Sequence, residues 1–164
     1  MNNPEFEMLS AYPGLESLYG ILVGFAYSVP ESICGLLITL LPKGFNRKLT
    51  LGAVTLVAGL SMGLTGAVNS LGVLALMRVL HASCFSWVNT LVFSLSAEYF
   101  PRNKRATANA FLQSAQVFGI ALSSLSIIII ERFGWRKLYL FMGALGLGIG
   151  TFMILFVKEP CCEE

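Results

Sequence analysis

The residues of this chain that could do chemistry lie inside long apolar runs, where charge is expensive to hold. Glu31, Arg78 and His81 each sit within such a run. A charged side chain at the centre of a bilayer costs about 2.5–3.5 kcal/mol on insertion scales, so each needs a partner or a task. On a helical wheel Glu31 shares a face with Gly24, Tyr27, Ser28 and Gly35, a polar and small-residue stripe suited to a cavity wall. His81 and Asn89 fall within about 80° of Arg78 at 100° per residue. A later run carries Asn109, Gln113, Gln116, Ser123 and Ser124 on one side. Three helices with polar faces are what a water-filled passage needs. Arg78 would attract an anionic group, and Gln113 and Gln116 would offer hydrogen bonds to a solute. Glu31 or His81 would exchange a proton, because burial tunes the proton affinity of both groups. The competing use of the same side chains is internal: Arg78 snorkels outward and Glu31 bonds a neighbouring helix.

Catalytic constellations are missing from the pattern. There is no HExxH and no GxSxG. The nine acidic residues are all Glu, so no aspartyl dyad can form. The glycines lie within hydrophobic stretches and make no phosphate-cradling loop. One His and four Cys show no zinc spacing and no disulfide framework. Cys34 and Cys84 read as small buried hydrophobes. Cys161 and Cys162, adjacent after the last run, are a juxtamembrane pair open to palmitoylation. No catalytic residue, metal or cofactor is expected.

The elements that must position these groups follow from composition. Of 164 residues 55% are hydrophobic and 12% charged, whereas a soluble domain is about one quarter charged. The polar shell is largely missing, so most of the surface faces lipid. The net charge of +2 is scattered and gives no nucleic-acid footprint. Apolar runs recur about five times, over 18–41, 49–68, 71–97, 106–130 and 138–157. Each approaches or exceeds the roughly 20 residues that a helix needs to cross a bilayer. Helices satisfy their own backbone groups in lipid, and no alternating strand pattern competes. The expected fold is an all-α integral membrane bundle of about five transmembrane helices, flanked by tails over 1–17 and 158–164. Lys43, Arg47 and Lys48 make the first loop basic, as Arg102, Lys104 and Arg105 do the third. Basic loops favour the cytoplasm, which puts the amino terminus outside and the carboxyl terminus inside. Arg132, Arg136 and Lys137 in the fourth loop run against that rule. The acidic amino-terminal segment, with Glu5, Glu7 and Glu16 and no Lys or Arg, does not read as a secretory signal.

Several short motifs occur in a fixed order. Arg78 is followed by Glu98-Tyr99-Phe100-Pro101, then Arg105 and Ala108. Phe133-Gly134-Trp135-Arg136 comes next, and Glu159-Pro160 closes the last run. In order and spacing, across roughly residues 70 to 160, this resembles the major facilitator superfamily. Phe45-Asn46-Arg47-Lys48 is similar to the end of that family's loop motif between its second and third helices. The five runs then correspond to helices two through six, an incomplete six-helix half-bundle. By this resemblance Gly35, Arg47, Glu98 and Arg105 belong to cytoplasmic gating motifs. The family's loop motif has an Asp four residues after its Gly, where this chain has Thr39. Its Asp-centred gating contact therefore cannot form. Ala82 and Ser83 stand where glycines are common after the fourth-helix Arg.

The resemblance implies secondary active transport of a small organic solute by alternating access, with a proton as candidate coupling ion. It is somewhat similar to the spinster-like and organic-anion branches, which suits anionic or lipid-like cargo beside Arg78. Family transporters rock two halves around a midplane site, so the chain reads as a fragment whose pathway needs the missing second half or a partner chain. The alternative is a truncated, non-transporting membrane protein that pairs with a full-length transporter. An antibody against the 102–105 loop, applied to native membranes, is expected to detect a band much larger than 17.8 kDa. A band at that size would overturn the fragment reading.

Overall fold

Apolar runs set where the helices lie, and local chemistry sets their ends. The computed structural model describes residues 24–40 and 46–157. In chain order the helices are α1 (Ala26–Thr39), α2 (Arg47–Ala67), α3 (Leu71–Tyr99), α4 (Arg105–Ser123), α5 (Ser126–Phe133) and α6 (Trp135–Phe156). No strand occurs among the described residues. The fold is all-α. The expected tails 1–17 and 158–164, with Cys161 and Cys162, lie outside the described residues, as does the start of the first apolar run.

Asn46 caps α2, its side-chain oxygen accepting from the Leu49 N–H at 3.0 Å. Gly134 separates α5 from α6 with φ +82°, a backbone region that L side chains avoid. Its N–H closes α5 on the Ile130 carbonyl at 2.8 Å. The fourth apolar run is not one continuous helix. At Ser124 and Leu125 the N–H groups bond three residues back, to Ala121 and Leu122. The Ser123 hydroxyl also donates to the Ile120 carbonyl at 2.6 Å. Such serine back-bonding and 3₁₀ tightening interrupt a helix without ending the span. Counting α4 and α5 together, four segments among the described residues are long and apolar enough to cross a bilayer: Arg47–Ala67, Leu71–Tyr99, Arg105–Phe133 and Trp135–Phe156.

The contacts reveal the course of the helices. Arg47 of α2 meets Ser94 and Glu98 of α3, while Ala58 and Ser61 meet His81, so α2 and α3 are antiparallel. Gly52 lies against Ile154 and Gly66 against Arg136, so α6 also opposes α2. Tyr27 of α1 faces His81 of α3, and Gly35 faces Ser86, so α1 and α3 run the same way. Asn46 and Pro101 therefore fall at one end of the bundle, and Asn69 and Gly134 at the other.

The tightest seam is between α2 and α6. A Cβ on Gly59 would come within 2.8 Å of the Leu147 nitrogen and 2.9 Å of the Gly146 carbonyl carbon. A Cβ on Gly66 would come within 2.7 Å of the Arg136 carbonyl oxygen. Small residues at a four-residue spacing let two backbones touch, as the Gly146 and Gly150 pattern suggests. The matching stripe of Ala115, Gly119 and Ser123 behaves differently. All three are exposed, and nothing lies within 4 Å of a Cβ on Gly119. None of α4 is buried, and it lies loosely, chiefly against α3.

Two apolar clusters close the ends of the seam. Leu74 and Trp135 pack with Leu71, Ala75, Ile130 and Tyr139 at the Gly134 end. Ile38, Leu51, Leu91 and Leu95 pack with Trp87 and Met153 at the other. Between them Ser61 and Thr65 are buried, their hydroxyls donating to carbonyls of their own helix at 2.8 Å. Gly59→Leu is expected to destabilise the chain by about 1–3 kcal/mol, the usual cost of overpacking. Gly148→Leu, where a Cβ meets nothing within 4 Å, is expected to leave it unchanged. Thermal unfolding in detergent compares the two, and equal midpoints would refute the seam.

Candidate functional site

The polar groups inside the bundle gather where α1, α2, α3 and α6 approach each other. α3 carries Arg78 and His81 on neighbouring turns, roughly 10 and 15 Å from its Leu71 end at 1.5 Å per residue. The guanidinium of Arg78 donates to the Tyr139 hydroxyl and lies over the Tyr139 ring, its Cζ 5.4 Å from the centroid. Tyr139 is delivered there by the seam, since its Cβ stands 3.0 Å from where a Gly66 Cβ would be. Trp135 meets the Tyr139 ring edge-on, with centroids 6.1 Å apart and planes at 82°. The Arg136 guanidinium lies 5.3 Å over Trp135 and donates to the Asn69 side-chain oxygen at 2.6 Å. A continuous set of contacts thus runs from the α2–α3 turn to Arg78.

His81 points its Nδ1 at α2, 3.2 Å from the Ala58 carbonyl oxygen and 3.5 Å from the Ser61 hydroxyl. A carbonyl can only accept, so Nδ1 carries a proton and donates. In the neutral ring Nε2 is then left as an acceptor. The imidazole lies between Tyr27 and Phe85, 6.4 Å from each ring. Glu31 and Arg78 do not pair. Tyr27 is level with His81, which puts Glu31 about seven residues, or roughly 10 Å, further along the bundle than Arg78. The carboxylate-to-guanidinium ion pair among the described residues joins other partners, Arg47 and Glu98.

The stripe read on α1 divides between two surroundings. Tyr27, Gly35 and Ile38 pack towards α3, with Glu31 on the same side and half-buried. Gly24, Ser28 and Ser32 line an open groove of about 550 Å³. Asn89 is half-buried further along α3. Gln113 and Gln116 stand on the loosely held α4, apart from Arg78 and His81. Gln113 is exposed in a shallow groove of about 640 Å³ with Ser114 and Val117, and Gln116 is half-buried. The structure therefore brings Arg78 and His81 onto neighbouring turns of α3, with Tyr27 of α1 against His81, and leaves Glu31 offset along the axis and the two glutamines outside that group.

At the opposite end Arg47 holds α2 to α3 by its ion pair with Glu98 and a hydrogen bond to Ser94. Arg105 does not join them; its Nε donates to the Phe100 carbonyl at 3.1 Å and braces the turn into α4. Gly35 lies at the α1–α3 crossing, where a Cβ would come within 2.7 Å of the Ser86 hydroxyl. Three participants were not marked by the sequence pattern: Tyr139, Ser61 and Ser94. A Tyr near a helix end reads as an interfacial anchor, and serines within apolar helices read as packing. Only their partners on other helices reveal them.

With the geometry in place, the comparisons define the class. A sequence profile described as the Major Facilitator Superfamily matches residues 5–161. The chain belongs to that superfamily, a group of membrane transport proteins, and is an integral membrane protein. The "Probable galactarate/D-glucarate transporter" of Bacillus subtilis (strain 168) is 37% identical to it over 65 residues. That alignment covers 39% of this chain and 14% of the relative, so the chain spans a small part of that protein. No solved structure matches the chain.

Arg47 and Glu98 are about one third exposed, at 32% and 39%, so water weakens their attraction. A double-mutant cycle of Arg47→Ala and Glu98→Ala, read by thermal unfolding, is expected to give a coupling of about 0.2–1 kcal/mol. A coupling of zero would remove the pair as a clamp between α2 and α3.

Proposed function

We propose that this chain forms part of a secondary transporter that carries a small organic anion by alternating access. The observation that carries the reading is the state of Arg78. It is a cation about 10 Å inside a spanning helix, held by a neutral phenol, with no carboxylate in salt-bridge contact among the described residues. A guanidinium at that depth calls for an anion, and a carboxylate matches its fork of donors. Galactarate and D-glucarate, which the relative's name carries, are carboxylates of this kind.

Glu31 and His81 are the candidate proton carriers, on either side of Tyr27. Neutralising Glu31 would lower the repulsion that an incoming anion meets and so link its entry to a proton. Asn89, Gln113 and Gln116 would contribute as lining of a passage completed by a second half or a partner chain. The Arg47–Glu98 end, with Arg102, Lys104 and Arg105, is assigned to the cytoplasm by its basic loops. That puts the amino terminus outside and the carboxyl terminus inside. The Arg47–Glu98 pair then acts as a cytoplasmic latch, with Arg105 shaping the adjoining turn and Gly35 setting the α1–α3 approach.

Radiolabelled D-glucarate uptake into vesicles from cells expressing the chain together with the second half that completes its passage, driven by an inward proton gradient, tests both parts. Arg78→Ala is expected to reduce uptake at least tenfold. Glu31→Gln is expected to retain exchange but lose the response to the gradient. Undiminished uptake by Arg78→Ala would refute the anion site, and a normal pH response in Glu31→Gln would refute proton coupling through that residue.

A further inference from the structure

We propose that Tyr139 of α6 is a positioning residue for the anion-binding guanidinium of Arg78. The claim rests on the anion reading given above, and its argument is geometric. Arg side chains are long and rotamer-rich, and a guanidinium left to wander binds a carboxylate poorly. Tyr139 restrains it in two ways at once. Its hydroxyl accepts from Nη2, which fixes one arm of the fork, and its ring face lies 5.4 Å beneath Cζ, which fixes the plane. The other guanidinium N–H groups remain as donors for a ligand.

The chemistry of the restraint matters as much as its geometry. A Glu or Asp in place of Tyr139 would hold Arg78 equally well but would cancel the charge that recruits an anion. A phenol accepts a hydrogen bond while neutral, so the guanidinium is held and keeps its full positive charge. Tyr139 can do this because its own position is fixed from three sides. Its Cβ abuts Gly66 of α2, its ring packs edge-on against the buried Trp135, and it belongs to the apolar cluster around Leu74. Arg136, over Trp135 and bonded to Asn69, fastens the same corner to the α2–α3 turn.

The experiment uses the chain together with the second half that completes its passage, in lipid nanodiscs, with two readouts. One is the rate at which butanedione modifies Arg78, followed by peptide mass spectrometry. The other is D-glucarate affinity by equilibrium dialysis. Tyr139→Phe keeps the ring and its packing, so the bundle should stay folded, with thermal unfolding lowered by no more than the one lost hydrogen bond. It is expected to speed Arg78 modification severalfold and to weaken D-glucarate roughly tenfold, the scale of one hydrogen bond to a charged group. Tyr139→Leu, which also removes the ring face, should move both readouts further. If Tyr139→Phe leaves Arg78 modification unchanged, or leaves D-glucarate affinity unchanged where the wild type binds it, the positioning role is overturned. If the wild type binds no D-glucarate while Tyr139→Phe still exposes Arg78, the anion reading fails, and with it the purpose assigned to Tyr139, although the restraint itself stands.

Discussion

The setting of Arg78 depends on how closely α2 and α6 approach. In lipid the hydrophobic effect does little to pull one apolar helix onto another, so association relies on packing, interhelical hydrogen bonds and small residues. Gly59 and Gly66 on α2 meet Gly143, Gly146 and the first turn of α6 with essentially no side chain between them. That approach brings Tyr139 within reach of Arg78 and Trp135 against Leu74. With wider spacing Arg78 would have had to find a carboxylate or reach outward to the interface. The glycines carry no chemistry of their own, yet they decide which chemistry the arginine can do.

The two ends of the bundle solve the problem of charge differently. At the Asn46 end, near the helix termini, Arg47 pairs with Glu98 where water can still reach both groups. An exposed pair of this sort is cheap to make and cheap to break. Deeper in, no such pairing occurs among the described residues. Arg78 rests on a phenol and His81 on a backbone carbonyl, and Glu31 is offset along the axis from both. Neutral partners satisfy donors without neutralising charge, so the interior keeps a cation available for something else to meet.

α4 stands apart from this economy. It carries Gln113 and Gln116, a small-residue stripe and many exposed apolar side chains, but none of its residues is buried. Its serines turn back on their own helix, Ser114 to Ala110 and Ser123 to Ile120. Beyond Arg105 in its first turn, a helix that satisfies its own backbone in this way can sit in lipid without a protein neighbour. For that reason nothing in its own sequence forces the glutamines towards Arg78.

Run length and composition determined that the chain is helical and lies in a membrane, because a bilayer accepts little else of that length and apolarity. Motif order across residues 70 to 160 was enough to indicate the superfamily. Singling out Arg78, Glu31 and His81 was also possible from sequence alone, since an ionisable residue inside an apolar run stands out against its surroundings. Their partners could not be found that way. Tyr139 is sixty-one residues from Arg78, and helical periodicity relates only residues on the same helix. Whether a small-residue stripe becomes a contact, as at Gly146 and Gly150, or stays open, as at Ala115 and Gly119, depends on a second helix whose position no local pattern encodes. Tertiary structure alone decided that Arg47 takes Glu98 while Arg105 braces a turn, and that Arg78 is held by a neutral group. The physical reason is that insertion is driven by the composition of each segment, whereas pairing is driven by close fit between segments distant in the chain.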